Sequence, residues 1–168
     1  MRLGCNARVI PFAALALMMI LFTAPQCRAQ FSGGEVSSAS AFSIPQAQLI
    51  QPDSLNRLLQ AGGANVPLMF QVGSHLMFTQ AHIPGSIYAG AGAQPSGLQL
   101  LASKVASTPK NKLIVIYCGC CPWGHCPNVG PAYKKLRDLG FTNVKALYLA
   151  NNFGDDWVTK GYKVERGQ

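Results

Sequence analysis

Four cysteines, Cys118, Cys120, Cys121 and Cys126, fall within nine residues of a 168-residue chain. Thiols this close together cannot staple distant parts of a fold, although an even number of cysteines in a secreted chain ordinarily signals structural disulfides. Their clustering points to chemistry instead: attack by a thiolate, disulfide exchange inside one loop, or ligation of a soft metal.

The cysteines lie in the run LIVIYCGCCPWGHCPNVGPAY, residues 113–133. Its first five residues are β-branched, apolar and aromatic without alternation, the composition of a parallel strand buried on both faces. That strand delivers Cys118. Residues 119–131 are rich in Gly, Pro and Cys and read as a loop, and Ala132, Tyr133, Leu136 and Leu139 then recur at helical spacing. In open α/β sheets reactive groups collect at the carboxyl ends of strands, where the next helix turns its N-terminal N–H groups back toward the loop. Cys118 is therefore the candidate catalytic residue, and its thiol is expected to ionise more easily than a free one.

The neighbouring residues carry alternatives. Cys120, Cys121 and Cys126 are candidate resolving thiols for Cys118. Cys118 and Cys121 form a C-x-x-C pair, whereas the adjacent Cys120 and Cys121 are the poorest disulfide candidates on geometric grounds. His125 is the loop's one titratable cation and either holds a proton beside the thiolate or sits exposed in the loop. Trp123 either walls a pocket or offers a surface to a partner protein. A competing class is a metal module, in which Cys118, Cys121, His125 and Cys126 hold Cu(I) or Zn²⁺. Against it, every candidate ligand is on one loop, and His75 and His82 read as a helix start and part of a turn. A third class is a thiol-disulfide oxidoreductase. No C-x-x-C-H haem-attachment pattern occurs.

Arg2 and Arg8, an apolar stretch over 9–22 and the tail TAPQCRAQ at 23–30 have the three-part layout of a secretory signal. The stretch is shorter than the roughly 18 residues that a spanning helix needs. Cleavage after Ala29 is expected, leaving an exported, periplasmic chain with no stable membrane span. Lipid attachment through Cys27 is the weaker reading, because Gln26 precedes it. Loss of residues 1–29 removes Cys5 and Cys27 and leaves eleven Lys/Arg against six Asp/Glu. That mild surplus suits a small anion or an acidic envelope partner. No basic run with interleaved aromatics suggests nucleic acid.

Residues 30–48 are small, polar and aperiodic and are expected to be a disordered tether, followed by one domain over 49–168. In that domain a helix is expected from Pro52 to the Gly62-Gly63 stop, then a strand over 66–72, a short helix over 75–81 and a Pro-Gly turn over 82–86. A brief strand at 87–89, a helix through Leu98 to Val105, a strand over 143–149 and a last helix carrying Trp157 complete the pattern. Asn128, Gly130 and Pro131 read as helix-start chemistry without a catalytic role. Strands alternating with helices over short connections give an α/β fold, a mainly parallel sheet with helices on both faces.

The turn Ala81-His82-Ile83-Pro84-Gly85-Ser86-Ile87, the strand leading into Cys118, the stretch Leu139-Gly140-Phe141-Thr142-Asn143-Val144 and the closing Trp157 together resemble a rhodanese domain over residues 49–161. The resemblance implies a sulfurtransferase whose cysteine, here Cys118, accepts a sulfane sulfur as a persulfide and passes it to a thiophilic acceptor. Gly119, Cys120, Cys121, Trp123, Gly124 and His125 would then form the cradle for a small sulfur-containing anion, with no external cofactor. Two departures stand out. Gln71-Val72-Gly73 replaces the family's usual Asp-Val-Arg, and the loop is lengthened and contains no Arg. The longer cradle leaves a phosphatase-like anion site open but, without the Arg, disfavoured.

Overall fold

The computed structural model describes residues 44–167. The expected leader and most of the expected tether lie outside the described residues.

Five strands pair in parallel throughout, in the order β1 (Leu49–Ile50), β5 (Val144–Leu147), β4 (Ile114–Tyr117), β2 (Leu68–Gln71) and β3 (Ile87–Tyr88). The helices are α1 (Pro52–Ala61), α2 (His75–Gln80), α3 (Pro95–Lys104) and α4 (Val129–Asp138). The α/β fold with a parallel sheet is as the alternating pattern requires.

Strand β4 sits in the middle, with Ile116 beside Phe70 of β2 on one side and Ala146 of β5 on the other. All four of its residues are buried. Side chains alternate across a strand, so β4 feeds two cores. Ile114 and Ile116 join Phe70, Leu101, Ala132, Leu136 and Phe141 beneath α3 and α4. Val115 and Tyr117 join Leu55, Met69, Ile83, Phe153 and Trp157 on the side of α1 and the C-terminal segment.

Several boundaries differ from the sequence expectation. The folded body already includes Ile44, 8 % exposed and packed in the first core, and a 3₁₀ turn at Gln46–Gln48 precedes the edge strand β1. The tether therefore does not extend to residue 48. The cause is tertiary: Leu49 pairs with Ala146, and Lys145 Nζ donates to the Ala47 carbonyl at 3.0 Å. Helix α4 starts at Val129, one turn before the first residue of the expected periodic run, because Pro131 occupies a first-turn position that lacks no needed N–H. The expected last helix is a single π-helical turn, Gly154–Val158, which buries Trp157 to 1 % exposure.

The Pro-Gly turn is tied directly to β4. The Tyr117 hydroxyl accepts from Ile83 N–H at 3.0 Å and shares a 2.8 Å hydrogen bond with Ser86 Oγ. Burial pushes the Tyr117 phenol up to about 12. His82 accepts a structural role: its Nδ1 lies 2.8 Å from the Phe78 carbonyl, its ring stacks on Phe78, and its backbone bridges Glu165. Among the described residues no helix is long and apolar enough to cross a membrane.

Replacing Tyr117 by Phe keeps the ring but strands the Ile83 N–H in a fully buried position. The expected cost is about 1–3 kcal/mol, that of a buried donor left without an acceptor. Urea unfolding should show a lower midpoint at unchanged slope; an unchanged midpoint would mean that the hydroxyl does not hold the turn.

Candidate active site

Cys118 follows the last residue of β4 and is 2 % exposed. Its surroundings come from four segments. The Gln71 side chain, itself buried, accepts from Gly73 N–H at 3.1 Å and donates to the Cys118 carbonyl at 3.4 Å, joining the ends of β2 and β4. A Cβ placed on Gly73 would lie 2.8 Å from Cys118 Sγ. The absence of a side chain at residue 73 is thus what leaves room for the thiol. Asn128 Nδ2 donates to Cys118 Sγ at 3.4 Å while its Oδ1 accepts from Ala93 N–H at 3.0 Å. The backbone of Asn128 in turn passes so close to Gly92 that a Cβ there would meet its carbonyl oxygen at 2.1 Å.

The loop after Cys118 is fastened to the end of β5. Gly119, at φ +81°, accepts from Phe153 N–H at 3.2 Å, and a Cβ on it would strike the Phe153 side chain at 2.5 Å. Trp123 N–H donates to the Ala150 carbonyl at 3.2 Å, and its ring lies 5.3 Å from that of Tyr148. Trp123 is half-buried against the first core, which answers the two sequence readings with a packing role. Gly124, at φ +89°, and His125 complete a turn in which His125 N–H donates to the Pro122 carbonyl at 3.0 Å, leaving His125 exposed.

The Sγ atoms of Cys118, Cys120 and Cys126 all lie within 4.8 Å of one another, with 3.8 Å between Cys120 and Cys126. Cys121 and His125, named from the sequence as ligands with Cys118 and Cys126, are not in this group; Cys120 is. Cys121 Sγ instead touches Cys120 Sγ at 2.8 Å, well beyond the bond length of about 2.05 Å, and all four cysteines are free thiols.

The ionisation pattern reverses the sequence expectation. Backbone N–H groups of Asn128 and Val129, at the start of α4, converge on Cys126 and not on Cys118. A hydrogen bond from Cys118 and these N–H groups bring the Cys126 thiol down to about 5, against the opposing effect of its burial. The same hydrogen bond, followed by burial, pushes the Cys118 thiol well above its ordinary range. Burial, then Cys120, moves Cys121 up to about 12. The lengthened loop is the cause, since it seats a second cysteine, two residues before Asn128, at the helix N-terminus. Of the two, Cys126 is thus the thiol that these surroundings favour as the anion, and Cys118 the one whose ionisation they oppose.

Three further residues of this site, Gln71, Gly73 and Asn128, carry no chemical flag in the sequence. Asn128 at a helix start reads as a cap, yet it makes no capping hydrogen bond; its side chain bridges Cys118 and Ala93.

The rhodanese-like domain model matches residues 43–149. The chain belongs to the rhodanese-like domain family. Solved structures of similar fold include the BH2092 protein of Bacillus halodurans, at 22% identity and TM-score 0.55 over 70% of this chain and 75% of that one. The Alr3790 protein of Anabaena sp. aligns at 19% identity and TM-score 0.54, over 70% of this chain and 82% of its own. A thiosulfate sulfurtransferase from Pseudomonas aeruginosa aligns at 20% identity and TM-score 0.51 over 71% of this chain, which spans 20% of that protein. No curated protein sequence matches the chain. The departures read from the sequence, Gln71, Gly73 and the Arg-free loop, thus lie in the segments that surround Cys118.

Iodoacetamide labelling of the reduced protein reads the charge distribution directly. The thiolate exists above the pKa, so modification of Cys126 should rise through about pH 5 and level off, while Cys118 stays unmodified well into the alkaline range. Cys118→Ala deletes the thiol that donates to Cys126 and should move the Cys126 midpoint upward. A midpoint near pH 8.5, that of an ordinary free thiol, in the parent protein would contradict the arrangement.

Proposed function

We propose that this protein is a sulfurtransferase in which Cys118 accepts a sulfane sulfur. The observation that carries this reading is the seat of Cys118 at the end of β4, where Asn128 Nδ2 donates to its Sγ at 3.4 Å and the sulfurs of Cys120 and Cys126 lie within 4.8 Å. The family and the fold support the same chemistry.

With thiosulfate as donor, Cys118 gives up its proton to solvent and its sulfur attacks the outer, sulfane sulfur. The sulfur–sulfur bond of thiosulfate breaks, sulfite leaves with the electron pair, and Cys118 carries a persulfide anion. Asn128 Nδ2, which already donates to Cys118 Sγ, is placed to donate to that anion. An acceptor thiolate then attacks the outer sulfur and leaves as its own persulfide anion, and the released Cys118 thiolate takes up a proton from solvent. Cys118 is nearly inaccessible, so a donor reaches it only after some of its surroundings move. Sulfur transfer by this route requires no external cofactor, and the secretory-signal layout of residues 1–29 supports a periplasmic setting for it.

Incubation with thiosulfate should add one sulfur atom, located at Cys118 by fragmentation of the non-reduced peptide, with release of sulfite. Cys118→Ser should abolish the gain. Cys126→Ser should retain the addition at Cys118. Sulfur found on Cys126 in the parent protein and still accepted by Cys118→Ser would overturn the assignment.

A further inference from the structure

The three-sulfur group at the mouth of the site has a geometry that sulfur transfer at Cys118 does not use. Transfer needs Cys118; Cys120 and Cys126 are left over, yet their Sγ atoms close a triangle with its own. A metal–thiolate bond of about 2.3 Å places three sulfurs around a trigonal ion roughly 4 Å apart. The observed 3.8 Å between Cys120 and Cys126, with all three atoms inside 4.8 Å, fits that spacing with only small side-chain rotations.

We propose that Cys118, Cys120 and Cys126 form a three-coordinate thiolate site for Cu(I).

The donor set selects the ion. Three soft sulfurs suit Cu(I), whereas a structural Zn²⁺ site closes with four ligands. Among the described residues no fourth His, Cys, Asp or Glu joins the group: Cys121 turns its sulfur to Cys120, and His125 is exposed. The surroundings supply what a thiolate site needs beyond its ligands. Asn128 Nδ2 donates to Cys118 Sγ, and backbone N–H groups of Asn128 and Val129 donate to Cys126. The three ligands are also graded in depth, with Cys118 buried, Cys126 half-buried and Cys120 exposed. An ion can therefore meet Cys120 at the surface and pass inward, any thiol that still carries a proton releasing it to solvent as it binds. Because an occupied site uses Cys118, bound Cu(I) and a persulfide on Cys118 exclude each other.

The test is an anaerobic titration of the reduced chain with Cu(I) against the competing chelator bathocuproine disulfonate, with no sulfur donor present. Its outcome is thus independent of whether Cys118 accepts sulfur. One equivalent should bind, with X-ray absorption showing three sulfurs near 2.3 Å. Cys120→Ser should weaken binding by more than about a hundredfold, beyond what loss of a residue that only orients a ligand costs. Cys121→Ser should leave the affinity within about threefold of the parent, and circular dichroism should show both variants folded. Failure to compete with the chelator, a four-ligand shell, displacement by equimolar Zn²⁺, or loss of binding in Cys121→Ser with retention in Cys120→Ser would each overturn the proposal.

Discussion

Strand β4 has no face toward water, and the rest of the molecule is arranged around that constraint. A strand buried on both sides must find partners for its backbone groups within the protein, and β2 and β5 supply them from either edge. Its side chains cannot all point one way, so two cores are needed. Ile114 and Ile116 anchor one of them, and Val115 and Tyr117 the other. The end of such a strand is a rigid place from which to present a side chain, and Cys118 is the next residue. Tyr117 extends the constraint outward, because its hydroxyl fixes the Pro-Gly turn beside the site.

Around Cys118 the controlling quantity is the number of negative charges that one small volume can hold. Several thiols within reach of one another cannot all ionise, since each thiolate raises the cost of the next. The neighbouring Cys118 thiol and the backbone N–H groups at the start of α4 favour the anion at Cys126, which the loop is long enough to bring to them. Gln71 and Gly73 fit the same scheme. A neutral amide joins the two strand ends without adding charge, and a residue with no side chain leaves space for the Cys118 sulfur.

The loop is held more firmly than its glycine content suggests. Gly119 is wedged against Phe153, Trp123 rests on Tyr148, and Asn128 crosses to Ala93 and packs on Gly92. These contacts reach three separate sheet connections, so the sulfur positions are set by the whole carboxyl edge of the sheet. Changes far along the chain, at the end of β5 for example, therefore act on the cysteines through packing.

The order of strands and helices was legible in the sequence, because hydrophobic period and turn chemistry are local properties that survive without knowledge of the fold. The apolar run of residues 113–117, the helix opening at Pro52 and the Pro-Gly turn each carry such a signal, as does the place of Cys118 at a strand end. Strand β1 and the inclusion of Ile44 were not legible, since two residues of strand and one buried isoleucine acquire their meaning only from β5 and the core beside them. The charge on the sulfurs was the largest reversal. A thiol's proton affinity depends on which hydrogen-bond donors point at it and how much water it has lost. Both are set by where a nine-residue loop comes to rest in three dimensions, and spacing along the chain does not contain that information.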